Sequence, residues 1–225
     1  MNTTKIIAIT QPLIDNENGT RMTPDEFVAY CARVSNPSNQ MNSLTAPKLL
    51  SYCAKHKHWS VFETVDVVIS IETTRDIARQ ILRHRSFSFQ EFSQRYSDPT
   101  KDLGFVTREA RLQDTKNRQN SIETDDKELQ EDWLILQLKL TKIVKDTYDW
   151  AVSNGIAKEQ ARAVLPEGLT TSRMYMKGSL RSWIHYCQLR MGPETQKEHR
   201  EIATDAWYLI TNEFPSLKDA LNIGE

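Results

Sequence analysis

The chain has 225 residues, of which 39% are hydrophobic and 26% are charged, and its formal net charge is −1. A chain of this size can bury a core of its own, so we expect a single domain over residues 1–225. The near-neutral charge argues against a nucleic-acid surface, and no apolar stretch is long enough to span a membrane. The first residues lack the layout of a signal peptide, and we expect a cytoplasmic protein with no membrane or nucleic-acid partner.

The spacing of the cysteines and glycines limits the redox and phosphate-binding motifs that the chain can contain. Cys31, Cys53 and Cys187 are widely spaced and form no C-x-x-C pair, which predicts free, buried thiols. The seven glycines are scattered and form no phosphate-binding glycine motif. A phosphate-bearing ligand would therefore have to be held by side chains, chiefly arginines.

In the first third of the chain, the hydrophobic pattern predicts both strands and helices. We expect a strand, two amphipathic helices, a second strand and a short helix, at residues 5–13, 24–35, 44–56, 61–72 and 75–85. Thr73 and Asp76 have the spacing of a capping box for the last of these helices. Its exposed face would stack Arg75, Arg79 and Arg83, with no acidic residue between them beyond Asp76.

The rest of the chain is predicted to be mainly helical. Residues 108–126 are polar and favour a mobile surface loop. Apolar residues from Leu129 to Tyr148 recur at helical spacing, which predicts one long helix over 127–154, closed by Gly155 and packed in the core. A strand at 169–177 and helices at 179–190 and about 195–214 follow. The pattern is mixed α and β, with helices outnumbering strands.

Residues 83–96, RHRSFSFQEFSQRY, differ from an ordinary globular sequence. Repulsion among the positive charges of Arg83, Arg85 and Arg95 lowers the stability of the fold unless a bound anion or a nearby carboxylate compensates it. Composition alone favours a solvated basic helix end with aromatic residues in the core. A single-stranded nucleic-acid surface is a second interpretation, which the neutral net charge disfavours. A nucleotide or dinucleotide site is the third, and composition does not separate it from the first.

This segment resembles the defining motif of flavin-dependent thymidylate synthases, R-H-R-x-x-S-x-N-x-x-S-x-R-Y. Seven of its eight fixed positions match: Arg83, His84, Arg85, Ser88, Ser93, Arg95 and Tyr96. Gln90 replaces the asparagine, which keeps the amide on a longer arm. Five further elements resemble the family's and follow in its order, at residues 31–35, 58–63, 78–80, 161–166 and 188–198.

The resemblance implies an α+β fold, with a mixed or antiparallel sheet and several packed helices. It also implies an enzyme that methylates dUMP to dTMP, with methylenetetrahydrofolate as the one-carbon donor and NADPH as the reductant. FAD would be bound without a covalent link and would deliver a hydride to the uracil ring. The sites would lie between subunits of a homotetramer.

Roles for individual residues follow from the same resemblance. The residues expected to contact FAD are Ser35, His58, Ser60, Arg83, His84, Arg85, Glu91, Gly178, Ser179, Leu180 and His185. The residues expected to contact dUMP are Gln80, Arg83, Glu91, Phe92, Ser93, Gln94, Arg95, Arg162 and Arg190. As catalytic residues we expect Arg190, whose charge would stabilise negative charge on the pyrimidine, and Ser93, as a hydrogen-bonding group rather than a nucleophile.

Three alternatives stay open beside this hypothesis. A related flavin enzyme could act on another pyrimidine nucleotide, as Gln90 and the region around Gly178 depart from the family pattern. The chain could also be a nucleic-acid-binding module, or a helical scaffold, which would leave the arginines without an anion. His56, His58 and Glu63 are too few for a metal site, and we expect no metal.

Overall fold

The structure is a computed structural model, and it describes residues 2–218, 220 and 221. Its strands are β1 (Thr3–Ile9), β2 (Asp66–Thr74), β3 (Ser88–Glu91), β4 (Arg111–Gln113), β5 (Ser121–Glu123) and β6 (Thr171–Ser179). Four of them form one sheet in the order β1-β2-β6-β3. Strands β4 and β5 form a separate antiparallel pair, in which Leu112 lies opposite Ile122.

The helices are α1 (Pro24–Ala32), α2 (Ala46–Lys55), α3 (Arg75–Ile81), α4 (Pro99–Asp102), α5 (Lys127–Ser153), α6 (Lys158–Ala161), α7 (Leu180–Arg190), α8 (Lys197–Glu213) and α9 (Pro215–Lys218). Short 3₁₀ helices occur at Pro37–Asn39, Trp59–Glu63 and Arg162–Val164. No helix in the described part combines the length and the apolar character that a bilayer span requires. The predicted class, α+β with an antiparallel sheet, is confirmed.

Helix ends are fixed by local side chains. Thr23 forms a capping box with Glu26 at the start of α1, and Asp126 caps α5 by accepting from Leu129 N. Gly155, with φ of +79°, follows the end of α5 as predicted.

The capping box predicted at residues 73–76 is wrong. Thr74 is the N-cap residue of α3, but its side chain caps no backbone N–H. Instead its hydroxyl donates to the Asp76 carboxylate at 2.5 Å, and the Thr73 hydroxyl donates to Asn2 Oδ1 at 2.8 Å. Both hydroxyls are therefore used in other contacts.

Two predicted boundaries are corrected around the motif. The strand expected at 61–72 begins only at Asp66, because Trp59–Glu63 form a 3₁₀ turn that buries Phe62. The helix expected at 75–85 ends at Ile81, where Arg83 N turns to the nearer carbonyl of Gln80 at 3.4 Å. The whole motif thus follows the helix, and its residues Ser88–Glu91 form β3, a strand that was not predicted.

The segment predicted as a mobile loop, 108–126, contains the β4–β5 hairpin. Asp114 organises its turn, since one carboxylate oxygen accepts from the backbone N–H groups of Lys116 at 2.7 Å and Asn117 at 3.0 Å. These hydrogen bonds lower the pKa of Asp114. Short-range turn chemistry therefore gives this polar stretch regular structure.

Helix α5 is confirmed, but its predicted role in core packing is wrong for most of its apolar residues. Val144, Tyr148 and Ala151 face a small core, together with Ala161 and Leu165. Nine large apolar residues of α5 are instead 39–63% exposed. Six of them fall on one face at a spacing of three, four or seven, and we call these the α5 stripe: Leu129, Trp133, Leu136, Leu140, Ile143 and Trp150. Leu134, Ile135 and Leu138 are exposed outside this stripe. An apolar stripe of this size is unusual on a free protein surface.

The chain packs as two compact units. Unit 1 contains residues 2–3, Glu72–Arg83 and Gln90–Met174. Unit 2 contains Thr4–Ile71, His84–Phe89 and the chain from Tyr175 onward. In unit 2, alternate residues of β2 are buried, and Trp183 Nε1 of α7 donates to Val67 O at 3.1 Å.

The three thiols are free, as predicted, and all lie in unit 2. Cys53 and Cys187 are buried, whereas Cys31 is only partly buried, so the prediction of burial is wrong for Cys31. Burial raises the pKa of each thiol.

Candidate functional site

Unit 1 contains most of the residues predicted to bind the nucleotide. Glu91 ends β3, and its Oε1 accepts from Arg75 Nη1 at 3.2 Å and from Ser172 Oγ at 2.8 Å. Arg79 is also paired, with Glu167 at 2.5 Å. The sequence predicted that Arg75, Arg79 and Arg83 have no acidic partner beyond Asp76. This prediction is wrong for Arg75 and Arg79, which pair with Glu91 and Glu167.

Arg83 behaves differently from these two arginines. It is exposed, and its side chain has no ion pair or hydrogen bond within the described part of the chain. Gln80, one turn earlier on α3, is half-buried. Arg83 is thus available for an anion, as a phosphate site requires.

Two segments of unit 1 that are distant in sequence meet at Glu159. Arg95 Nη2 lies 3.2 Å from the Glu159 carboxylate, and Arg162 Nε donates to the Glu159 carbonyl oxygen at 3.3 Å. Lys158 Nζ also donates to Tyr96 O at 2.8 Å. Residues 95 and 162, both expected at dUMP, are therefore brought together, and their guanidinium groups suit a phosphate dianion.

The residues that precede Arg95 form a tight turn. Ser93 O accepts from Tyr96 N and Ser97 N, each at 3.1 Å, and Ser93 Oγ accepts from Arg95 N at 3.4 Å. The hydrogen-bonding role expected of Ser93 stays a prediction. Gln94 is 5% exposed and its Nε2 has no hydrogen-bond partner there, while Phe92 is half-buried.

In unit 2, the central contact joins two predicted site residues. Arg190 is the last residue of α7, and its Nε donates to His84 Nε2 at 2.9 Å. Because a guanidinium only donates, His84 Nε2 must accept and carries no proton. The exposed Arg85 side chain has no partner within the described residues of either unit.

Gly178 and its neighbours serve the packing of unit 2. A Cβ at Gly178 would lie 2.5 Å from the ring of the buried Phe87. Ser179 caps α7 by accepting from Ser182 N at 3.3 Å, and Leu180 N donates to Val65 O at 2.8 Å. Leu180 is fully buried. The FAD contacts expected at 178–180 stay predictions.

This packing gives a testable result for Gly178→Ala. We expect a loss of about 1–3 kcal/mol in the free energy of unfolding, because the new methyl group overpacks against Phe87. Gly168→Ala is the matched control, since its Cβ would meet only Asp76 Oδ2, at 3.9 Å. Urea unfolding of both variants measures the difference, and equal stability would contradict this view of Gly178.

The 3₁₀ turn that contains Ser60 packs beside α7. The Trp59 and His185 rings lie 4.9 Å apart, edge to face, and Arg181 Nη1 donates to Glu63 Oε1 at 2.9 Å. Partial burial, and then the Arg181 charge, lower the pKa of His185. Arg181 was not among the predicted residues, although it lies one turn before His185.

Ser35 and His58 border Tyr52 from different segments. Ser35 lines a pocket of about 490 Å³ with Arg33, Lys48 and Tyr52. The Tyr52 ring contacts the His58 ring edge-on, with the ring centres 5.8 Å apart, and it stacks on the His56 ring at 4.0 Å. No group of three or more possible metal ligands is found in the described part of the chain.

Comparisons with known proteins show the family to which the chain belongs. The model of the family "Thymidylate synthase complementing protein" matches residues 19–216. A probable flavin-dependent thymidylate synthase from Paramecium bursaria Chlorella virus 1 is 46% identical over 97% of this chain and 98% of its own length. The flavin-dependent thymidylate synthase of Synechocystis sp. is 47% identical over 96% of this chain and 98% of its own.

Solved structures show the same fold. A UMP/dUMP methylase from Streptomyces cacaoi, crystallised with 5-Br UMP, matches with a TM-score of 0.78 at 22% identity, covering 98% of this chain and 93% of its own. The family model and the two relatives confirm the family resemblance of the motif over most of the sequence. The chain belongs to the thymidylate synthase complementing protein family, that of the flavin-dependent thymidylate synthases.

Proposed function

We propose that this chain is a flavin-dependent thymidylate synthase that methylates dUMP to dTMP. The observation that carries the proposal is the pairing of the matched motif with available cations. Arg83 and Arg85 have no side-chain partner among the described residues. Arg95 and Arg162 both contact Glu159, Arg95 at its carboxylate and Arg162 at its backbone carbonyl oxygen. The two relatives of nearly equal length carry the same activity in their names.

The residues present fit FAD and dUMP, two ligands that each carry phosphate. Arg83 and Arg85 are free to hold phosphate, and His84, Ser60, His58 and Ser35 are proposed to contact FAD. When bound, FAD supplies hydride chemistry that side chains do not have. Arg95, Arg162 and the turn at 91–94 are proposed to hold and orient dUMP, with Arg190 stabilising negative charge on the ring.

The finer parts of the proposal are the co-substrates and the assembly. We infer that methylenetetrahydrofolate donates the carbon, that NADPH is the reductant, and that the protein acts in the cytoplasm as one domain per chain. The α5 stripe supports the proposed homotetramer, because its exposed apolar side chains would be buried against other copies. Sites between subunits would then need that assembly.

A spectrum and a product assay test the proposal. The purified protein is expected to be yellow and to oxidise NADPH only when dUMP and methylenetetrahydrofolate are present, with dTMP as the product. Parallel reactions with UMP and dCMP test the related-substrate alternative, which Gln90 motivates. Protein that stays colourless after addition of FAD, and forms no dTMP, would refute the proposal.

A further inference from the structure

A buried polar pair lies next to the Arg190–His84 contact in unit 2. Tyr186 is 1% exposed and His199 is 0% exposed, and His199 Nε2 lies 3.1 Å from the Tyr186 hydroxyl. His199 belongs to the face of α8 that otherwise contributes residues such as Ile202 to the core. An aliphatic side chain would fill this place without the cost of burying a polar ring. Packing alone therefore does not explain the pair.

Both members of the pair contact the imidazole that holds Arg190. The His84 and Tyr186 rings are 4.9 Å apart and nearly perpendicular. The His84 and His199 rings are 6.2 Å apart, again nearly perpendicular. Since Arg190 Nε donates to His84 Nε2 at 2.9 Å, one unbroken set of contacts connects Arg190 to the buried pair.

His84, Tyr186 and His199 have protonation states that fit a position beside the positively charged Arg190. His84 Nε2 accepts from Arg190, so a neutral His84 carries its proton on Nδ1. Burial, and then the charge of Arg190, lower the pKa of His199 to about 3, and burial raises the pKa of Tyr186. The pair is therefore uncharged near neutral pH, and it adds no cation beside the guanidinium.

We propose that Tyr186 and His199 are positioning residues for Arg190 and act through His84. The hydrogen-bonded pair forms a neutral wall that keeps His84 oriented with Nε2 toward the guanidinium. Arg190 Nε is committed to this contact, and its two terminal nitrogens, which make no hydrogen bond or ion pair within the described residues, are left for the substrate. The inference rests on the proposed function, in which Arg190 acts on the pyrimidine.

Steady-state kinetics of four variants test this role. Tyr186→Phe and His199→Leu are each expected to lower kcat for dTMP formation about tenfold, with KM for dUMP changed less than about twofold, since the orientation of a catalytic group is lost and not substrate binding. The double variant is expected to be no slower than the slower single variant, because both changes break one interaction. His199→Gln keeps a hydrogen-bonding amide and is expected to recover most of the rate.

Tyr148→Phe is the matched control. It also removes a buried phenol hydroxyl, but that hydroxyl has no hydrogen-bond partner among the described residues. Its kcat is expected to equal that of the unchanged protein. If the Tyr186 and His199 variants also keep kcat and lose only thermal stability, the pair has a packing role and the inference is overturned.

NMR of the imidazole nitrogens gives a second result that needs no ligand and no activity. His84 is expected to show the Nδ1–H tautomer in the unchanged protein and in Tyr148→Phe, and a mixture of tautomers in His199→Leu and Tyr186→Phe. Identical His84 signals in all of them would overturn the inference. If the unchanged protein forms no dTMP, the proposed function fails, and the NMR result alone decides whether the wall orients His84.

Discussion

Arg190→Ala is expected to lower kcat for dTMP formation by about 10²–10³-fold, the usual loss when one preorganised charge-stabilising group is removed. The guanidinium is held by His84 at 2.9 Å and so has a defined position before substrate arrives. Charge that develops on the pyrimidine would lose this fixed cation. Much of the FAD is expected to stay bound, because Arg190 is not itself a proposed FAD contact and holds one of them, His84, among several.

Single-turnover assays of dTMP formation, with the flavin spectrum recorded on the same sample, measure both effects. Arg118→Ala is the control, since Arg118 is an exposed arginine in the β4–β5 hairpin. Arg190→Lys keeps the charge but not the fork of donors, and it is expected to recover only part of the rate. Full activity of Arg190→Ala would remove the role assigned to this residue.

Charged substitutions in the α5 stripe are expected to have the second large effect. Leu136→Glu together with Ile143→Glu should convert the assembled protein into smaller species and remove dTMP formation with it. Both side chains are more than half exposed in the single chain, at 57% and 63%. Burying such a side chain contributes about 1.5–3 kcal/mol, and burying an unpaired carboxylate in its place is strongly unfavourable.

Light scattering coupled to gel filtration measures the assembly, and circular dichroism checks that each chain stays folded. Lys142→Glu is the matched control, because Lys142 is exposed on the same helix but lies outside the stripe. An unchanged molar mass in the double variant would mean that the stripe is not the interface. The proposed homotetramer would then need another surface.

Helical periodicity predicted α5 well, but it could not tell which apolar residues face the core of the same chain. Leu129 and Tyr148 follow the same periodic pattern, yet Leu129 is 39% exposed and Tyr148 is fully buried. Periodicity reports only that a face is apolar. What covers that face depends on the rest of the chain and on other copies.

Apolar sequence patterns gave the wrong secondary structure in two segments where turn-forming contacts decide the backbone conformation. Residues 61–63 belong to a β-branched run, but the turn that buries Phe62 takes them into a 3₁₀ helix. The polar stretch at 108–126 lacks the apolar alternation of a strand, and the Asp114 turn nevertheless supports a hairpin. A search for apolar periodicity passes over such segments.

The site was predicted through its motif, and its supporting contacts were not. The resemblance named Arg95 and Arg162, but their shared contact with Glu159 joins segments more than sixty residues apart. His199 lies on an apolar helix face, where a histidine usually means a satisfied core residue. Only its place beside Tyr186 and His84 gives it further meaning.

The three cysteine thiols bear on how the carbon can be transferred. Burial raises the pKa of Cys31, Cys53 and Cys187 alike, so at neutral pH each is protonated and a poor nucleophile. A covalent sulfur bond to the pyrimidine is therefore disfavoured from the outset. In the proposed function, ring activation is then left to electrostatics and to the bound flavin, and enzyme handled with iodoacetamide should keep working.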